Sequence, residues 1–146
     1  MIDVLKFLAV VTASLFAGAA LYINIAEHPA RMLLETRNAA LQWAPSYKRA
    51  TWLQAPLAAT SFLAGAAVWF TGSGVPWLVA AVLIGVIVPF TFIGIMPTNH
   101  RLLSSSLDLN SDEARALLIR WGYLHAVRTL LGLCAAALYS WLIVWA

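Results

Sequence analysis

His28, His100 and His125 are the only histidines in the chain, and their neighbours are side chains of the kind that assist an imidazole. Trp121, His125 and Arg128 stand at i, i+4 and i+7, which is one continuous face if the stretch is helical. Asn24, His28 and Arg31 repeat that spacing provided a helix runs on through Pro29, and Glu27 is the nearest carboxylate. Asn99, His100 and Arg101 follow Pro97. An imidazole titrates near neutral pH and can take a proton from a weakly acidic substrate. Arg128 and Asn99 can stabilise the enolate or phenolate left behind, and the face of Trp121 can carry a planar apolar molecule. The same histidines admit two other readings. His28 and His125, with His100 as a third ligand, could hold a transition metal, or a pair could hold haem iron. There is no HExxH, no clustered carboxylate ligand set, no Walker-type phosphate loop and no serine in a recognisable nucleophile elbow.

These residues must be positioned by elements that lie in a membrane. Of 146 residues, 62% are hydrophobic and only 10% are charged, where soluble domains carry about 25% charge. The length allows one domain. Four apolar runs, residues 4–25, 52–71, 76–96 and 121–145, each approach the ~20 residues needed to cross a bilayer. The first is too long for a signal-peptide core of about 7–15 residues and lacks a cleavage site, so it is read as a retained span. Gly72, Ser73 and Gly74 join the second and third runs as a hairpin. The expected fold is all-α, an integral membrane four-helix bundle with a short interfacial helix after span one. That helix would begin at Pro29, or span one would continue beyond a kink, and Ala44, Pro45 and Ser46 would turn the chain into span two. Residues 97–110 read as a polar loop. Ser111, Asp112 and Glu113 then look like a cap and acidic first turn of the helix that becomes span four.

An even number of crossings puts all three histidines at one end of the bundle. Each span sends a polar group there, Gln54 from span two included, while the other end offers only the 72–74 turn and the termini. Arg128 falls inside an apolar run, where a charge costs a few kcal/mol and must face the interior with a partner. Elsewhere the bland readings prevail. Arg31, Arg37, Lys48, Arg49 and Arg115 are expected to anchor lipid headgroups. Trp43, Trp52, Trp77, Trp141 and Trp145 are expected to form an aromatic belt. Cys134, the single cysteine, is expected to pack as a small hydrophobe, and CxxC chemistry is excluded. Pro89 and Thr91 should kink span three, and the glycines and alanines of spans one and two should be close-packing positions. The net charge of +3 shows no pattern for nucleic acid. By the positive-inside rule, loops 26–51 and 97–120 are cytoplasmic, and the expected location is a bacterial inner membrane.

Several stretches in order resemble the anthrone-oxygenase-like family of small four-span membrane proteins. They are Glu27-His28-Pro29-Ala30-Arg31, residues 43–49, Pro89-Phe90-Thr91, Pro97-Thr98-Asn99 with Arg101-Leu102, and Trp121-Gly122-Tyr123-Leu124-His125-Ala126-Val127-Arg128. The resemblance covers essentially the whole chain. It implies an oxygenase that oxidises anthrone- or quinol-like lipophilic aromatics with molecular oxygen and without metal or flavin. It further implies His28 and His125 as candidate bases, Asn99, Arg101 and Arg128 as anion stabilisers, and Trp121 as the platform. His100 stands where the family commonly has lysine, which argues against a conserved three-histidine metal site. Expected partners are the bilayer and a small hydrophobic substrate, homo-oligomers being compatible. The alternative is a non-catalytic membrane module that binds a hydrophobic ligand, haem or a metal.

Overall fold

In hydrocarbon no water is available to backbone amides, so each apolar run must close its hydrogen bonds internally as a helix. In the computed structural model the described residues, 1–145, form four long helices. These are α1 (Ile2–Arg31), α2 (Thr36–Phe70), α3 (Val75–Leu102) and α4 (Asp112–Trp145), each long and apolar enough to cross a membrane. The protein is an integral membrane four-helix bundle. Each helix packs on its sequence neighbours, and α1 closes the ring against α4. Helices of 28 to 35 residues are about 42–52 Å long at 1.5 Å per residue, more than the roughly 30 Å of hydrocarbon. α2 and α4 therefore project beyond the bilayer at the end where the 32–35 turn and the 103–111 loop lie, and the polar residues gather there.

Two prolines distort the helices without ending them. A proline has no N–H and its ring collides with the carbonyl four residues back. Upstream of Pro29 and Pro97 the chain relaxes by widening into π-helical turns, Ile23–Glu27 and Thr91–Ile95. The His28 amide accordingly bonds to the Ile23 carbonyl and the Met96 amide to that of Thr91. Such bulges concentrate at functional sites; these two precede His28 and Asn99. α3 is also interrupted at Val86, and Thr91 Oγ1 donates to the Ile87 carbonyl at 2.7 Å, as the proline and threonine of this stretch predict.

The expected interfacial helix is not a separate element. Span one continues through Pro29 to Arg31, and residues 36–51 are helical but continuous with span two, Pro45 included. Ala39, Ala40 and Trp43 are buried against Ile95, Leu118 and Trp121. That burial offsets the roughly 3 kcal/mol that an interior proline costs. Likewise α3 stays helical to Leu102, so the polar loop is shorter than expected. Helix α4 does begin at Asp112, and the Ser111 hydroxyl accepts the Ala114 amide.

Two core clusters result. Away from the loops, Ala9, Ala13, Ala17 and Ala20 of α1 pack closely, and Phe16 fills the space above Gly132. Tyr139 of α4 reaches across the bundle to donate to the Ser61 carbonyl at 3.3 Å, and it lies against Gly65 so closely that a Cβ there would overlap its phenol. Trp77 is fully buried beside Tyr139, and Trp43 is fully buried near the loop end. Neither belongs to the aromatic belt, which retains the exposed Trp52, Trp141 and Trp145. Cys134 faces outward, not into a packed interface, and so does Gly18.

The Gly65–Tyr139 crossing gives a measurable expectation. Gly65→Ala should destabilise the detergent-solubilised protein by about 1–3 kcal/mol, the usual penalty of overpacking. Adding Tyr139→Phe, which removes the overlapping hydroxyl, should recover part of the lost thermal midpoint. A double variant that melts lower than the sum of the singles would show that the tyrosine is not what Gly65 accommodates.

Candidate active site at the loop end of the bundle

The site is organised by one carboxamide. Asn24 lies in the π turn of α1 and faces α4. Its Nδ2 donates to the Gly122 carbonyl at 3.2 Å, which fixes the amide so that Oδ1 is turned the other way. Oδ1 accepts from Thr129 Oγ1 at 2.5 Å and meets His125 Nδ1 at 2.7 Å. The tautomer follows from this network: His125 carries its proton on Nδ1, and Nε2 holds the lone pair. A neutral histidine so arranged is a base at Nε2.

His28 is held in the opposite sense. Its Nδ1 lies 3.3 Å from Arg31 Nη1. A guanidinium can only donate, so Nδ1 is the acceptor and the ring proton sits on Nε2. That nitrogen is pressed against α4: a Cβ on Gly122 would lie 2.5 Å from it. Glycine at 122 is thus required for the space that His28 takes, and its backbone carbonyl serves Asn24 as well. The Trp121 ring packs on both imidazoles, with centroids 5.2 Å from His28 and 4.9 Å from His125. Trp43 meets Trp121 edge-on at 5.9 Å and stacks on Tyr47 at 5.1 Å and 4°. The expected face of Trp121, His125 and Arg128 therefore exists, and α1 and α2 supply its surroundings.

Arg31 is not a headgroup anchor; it is 3% exposed. It donates to Glu27 Oε1 at 2.5 Å, to Ser46 Oγ at 3.1 Å and to Gln42 Oε1, and Ser46 Oγ also donates to Glu27. Its guanidinium stands 5.8 Å from the centre of the Trp121 ring. The bonds to Gln42 and Ser46 close α1 against α2 directly beside His28. Arg115, half-buried, also turns to the protein, donating to the Met32 and Leu34 carbonyls at 2.5 and 3.0 Å, so that α4 ties down the turn after α1.

Arg128 differs from both. It reaches back towards α1 and α2, where Nη2 donates to Gln54 Oε1 at 2.9 Å and the guanidinium lies 5.7 Å from the Phe16 ring. Among the described residues the two ion pairs are Glu27–Arg31 and Glu113–Arg101, and no carboxylate pairs with Arg128. Its Nε is fully sequestered without a hydrogen-bond partner. It forms part of the wall of a chamber of about 130 Å³ with Phe16, Tyr47, Gln54, Thr91 and Met96. Asn99, from the turn after the second π segment, is completely buried with neither amide atom paired among the described residues, and its neighbour Thr98 has an unpaired buried hydroxyl.

Arg101 and His100 stand apart from this cluster. Arg101 is half-exposed and makes a two-pronged pair with Glu113, at 2.6 and 2.9 Å, joining the end of α3 to the start of α4. It stands only two residues after Asn99, but two 100° steps turn it away from the interior. His100 is exposed. Among the described residues no three His, Cys, Asp or Glu side chains converge in a way that could hold a metal ion, so the three histidines do not form a triad. The sequence left Tyr47, Gly122 and Thr129 unassigned and put Trp43 in the aromatic belt. Thr129 sits at i+4 from His125 and could have been read from the helical spacing; the others depend on which helices meet.

The sequence model of the anthrone oxygenase family matches residues 43–138. That stretch contains Tyr47, Gln54, Asn99, Trp121, His125 and Arg128, while Asn24 and His28 precede it. Anthrone oxygenase tpcL of Aspergillus fumigatus is 32% identical over 142 residues, covering 89% of this chain and 87% of that protein. Anthrone oxygenase AgnL2 of Paecilomyces divaricatus is 30% identical over 152 residues, covering 90% of each chain. Anthrone oxygenase gedH of Aspergillus terreus is 39% identical over a shorter stretch of 66 residues, 42% of this chain and 44% of that protein. No solved structure matches the chain. These relatives are fungal, so they lend no support to the bacterial inner membrane expected from the sequence. With the family pattern running over most of the chain and two relatives aligned along nearly all of it, this membrane protein belongs to the anthrone oxygenase family and shares its oxygenase-like function.

Proposed function

We propose that this protein removes a proton from a lipophilic aromatic substrate of the anthrone or quinol type and so enables it to react with dioxygen, without a metal or organic cofactor. The single observation that carries the reading is Arg128. A guanidinium within a membrane span, with no carboxylate partner among the described residues and with a sequestered Nε unpaired, is a site for an anionic oxygen. The chamber beside it, of about 130 Å³, is otherwise lined mainly by apolar and aromatic side chains; a cavity of that size takes about one ring, so the oxygen-bearing edge of a flat substrate would enter it and the remaining rings would lie towards the rim. His125 lies on the same face three residues earlier, about 4.5 Å along the helix axis, with its lone pair on Nε2.

For an anthrone-type substrate the chemistry balances simply. The base takes a proton from the methylene between the rings, and the negative charge spreads to the ring oxygen facing Arg128. The electron-rich carbon forms a C–O bond with dioxygen, and the resulting peroxide anion takes the proton back from the imidazolium to give the hydroperoxide. Loss of water from the hydroperoxide then leaves a second carbonyl. Methylene and O2 become carbonyl and water, the substrate giving up four electrons. His28, as the opposite tautomer, orients Trp121 and seats α1 on α4. Asn99, buried with its amide unpaired but not on the chamber wall, is a second candidate donor for the developing oxyanion. Arg101 acts through the Glu113 pair as a structural tie. The loop end, with Arg37, Lys48, Arg49 and Arg120, is cytoplasmic on this reading, as its basic residues favour.

Oxygen uptake by purified protein with anthrone and hydroquinone panels tests the reading. His125→Ala and Arg128→Met should each lower kcat/KM at least ~100-fold, the scale of losing a base or an oxyanion donor. Arg101→Gln should leave turnover unchanged. If both of the first two variants turn over like wild type, the site proposed here is wrong.

Asn24→Leu keeps the volume but removes the acceptor that selects the His125 tautomer. It should lower kcat at least tenfold, on the scale of a lost positioning hydrogen bond, with little change in KM. A normal kcat in a folded Asn24→Leu protein would mean that the base is held by something else.

Absorption spectroscopy with metal analysis addresses the cofactor. The active preparation should show no Soret band and no stoichiometric iron, copper or zinc. Finding any of these at one per chain would overturn the cofactor-independent mechanism.

A further inference from the structure

Two openings lead towards Arg128, and they differ in chemistry. A cleft of about 590 Å³ between α1 and α2 is lined by Glu27, Gln42, Ser46 and Arg49 among apolar neighbours. The Arg128 chamber lies deeper, between α2 and α3. Gln54 belongs to the walls of both, and its Oε1 accepts the Arg128 hydrogen bond, so this amide is the partition between the polar cleft and the chamber.

The outer rim of the chamber faces lipid. It is formed by Thr51 and Ala55 of α2 and by Val88 and Phe92 of α3, all exposed, Val88 by 45% and Phe92 by 65%. Thr51 and Ala55 also border a shallow outward depression with Trp52 and Pro56. The gap has a cause in the backbone. The backbones of α2 and α3 run close along residues 75–85 of α3 and little beyond, where contact is by longer side chains such as Tyr47, whose Oη meets Met96 Sδ at 4.0 Å. At the last close point, Gly85, a Cβ would lie 2.6 Å from the Phe62 ring. Beyond it come the interruption at Val86, Pro89 and the π turn at Thr91–Ile95, and the two helices separate. The distortions that place Asn99 also part α3 from α2 at the depth of Arg128.

We propose that this gap is a lateral portal through which a lipophilic aromatic molecule with one anionic or strongly accepting oxygen passes from the bilayer into the chamber, ring system between Ala55 and Phe92, oxygen towards Arg128. The proposal rests on the oxygenase reading only for the nature of that oxygen. Polar partners stay on the other side of Gln54, where the cleft meets the interface. The portal selects for width: Ala55 is the smallest side chain on its rim, and Phe92 is the side chain that can swing outward into lipid.

The test is the rate of ligand binding in lipid nanodiscs, read by stopped-flow quenching of the native tryptophans with a dihydroxyanthraquinone as probe. Ala55→Phe narrows the portal at an outward-facing position; Leu53→Phe adds the same ring to the wall of the polar cleft. Ala55→Phe should slow association roughly tenfold, within the range over which association constants vary among variants of one site. Leu53→Phe should leave it unchanged, and Phe92→Ala should speed it. Association at the wild-type rate in both Ala55→Phe and Phe92→Ala overturns the portal, as does slowing in Leu53→Phe alone, which would assign access to the polar cleft. Absence of any quenching by wild type would show that the chamber takes no such ligand and would also overturn it. Binding with the expected pattern but no oxygen uptake leaves the portal standing and removes the oxygenase reading, so the two failures are distinguishable.

Discussion

A polar group buried among membrane helices must find its partners within the bundle, and Asn24 is where this protein meets that constraint. One carboxamide satisfies a backbone carbonyl, a threonine hydroxyl and an imidazole of α4. An unpaired amide in an apolar environment costs several kcal/mol, so the three bonds hold α1 and α4 in a single register. The same bonds decide which nitrogen of His125 is basic. Structural satisfaction and chemical readiness are therefore one arrangement, and His28, Trp121 and Gly122 are packed by it.

Two prolines determine how α1 and α3 deliver their polar residues. Had the helices remained regular, the stretches before Pro29 and Pro97 would have clashed with the preceding turns. The π turns absorb the clash and rotate the helical segments downstream of them. In α1 this brings Asn24 and His28 to the same helix, α4, at neighbouring heights. In α3 it leaves Asn99 fully buried while Arg101 turns outward to Glu113. The distortion also separates α3 from α2, giving the chamber its lipid-facing rim.

The arginines show how differently one residue type can be used in a membrane. Arg31 is neutralised by Glu27 and braced by Ser46 and Gln42, Arg101 is paired at the surface, and Arg115 caps backbone carbonyls. Each is accounted for by structure. Arg128 has no carboxylate among the described residues, only the neutral amide of Gln54 and the face of Phe16.

The four spans, their all-helical nature, the shared end of the polar residues and the face bearing Trp121, His125 and Arg128 are legible in the chain, because hydropathy and helical period are local properties. The chain also carries the family resemblance, since ordered motifs need no coordinates. That Arg31 is buried, that Trp43 and Trp77 are core residues, that Arg101 and His100 lie outside the cluster and that residues 36–51 extend span two emerges from the folded bundle alone. These depend on which helix faces meet and on the change in phase that each π turn introduces, and a one-dimensional spacing does not contain either quantity.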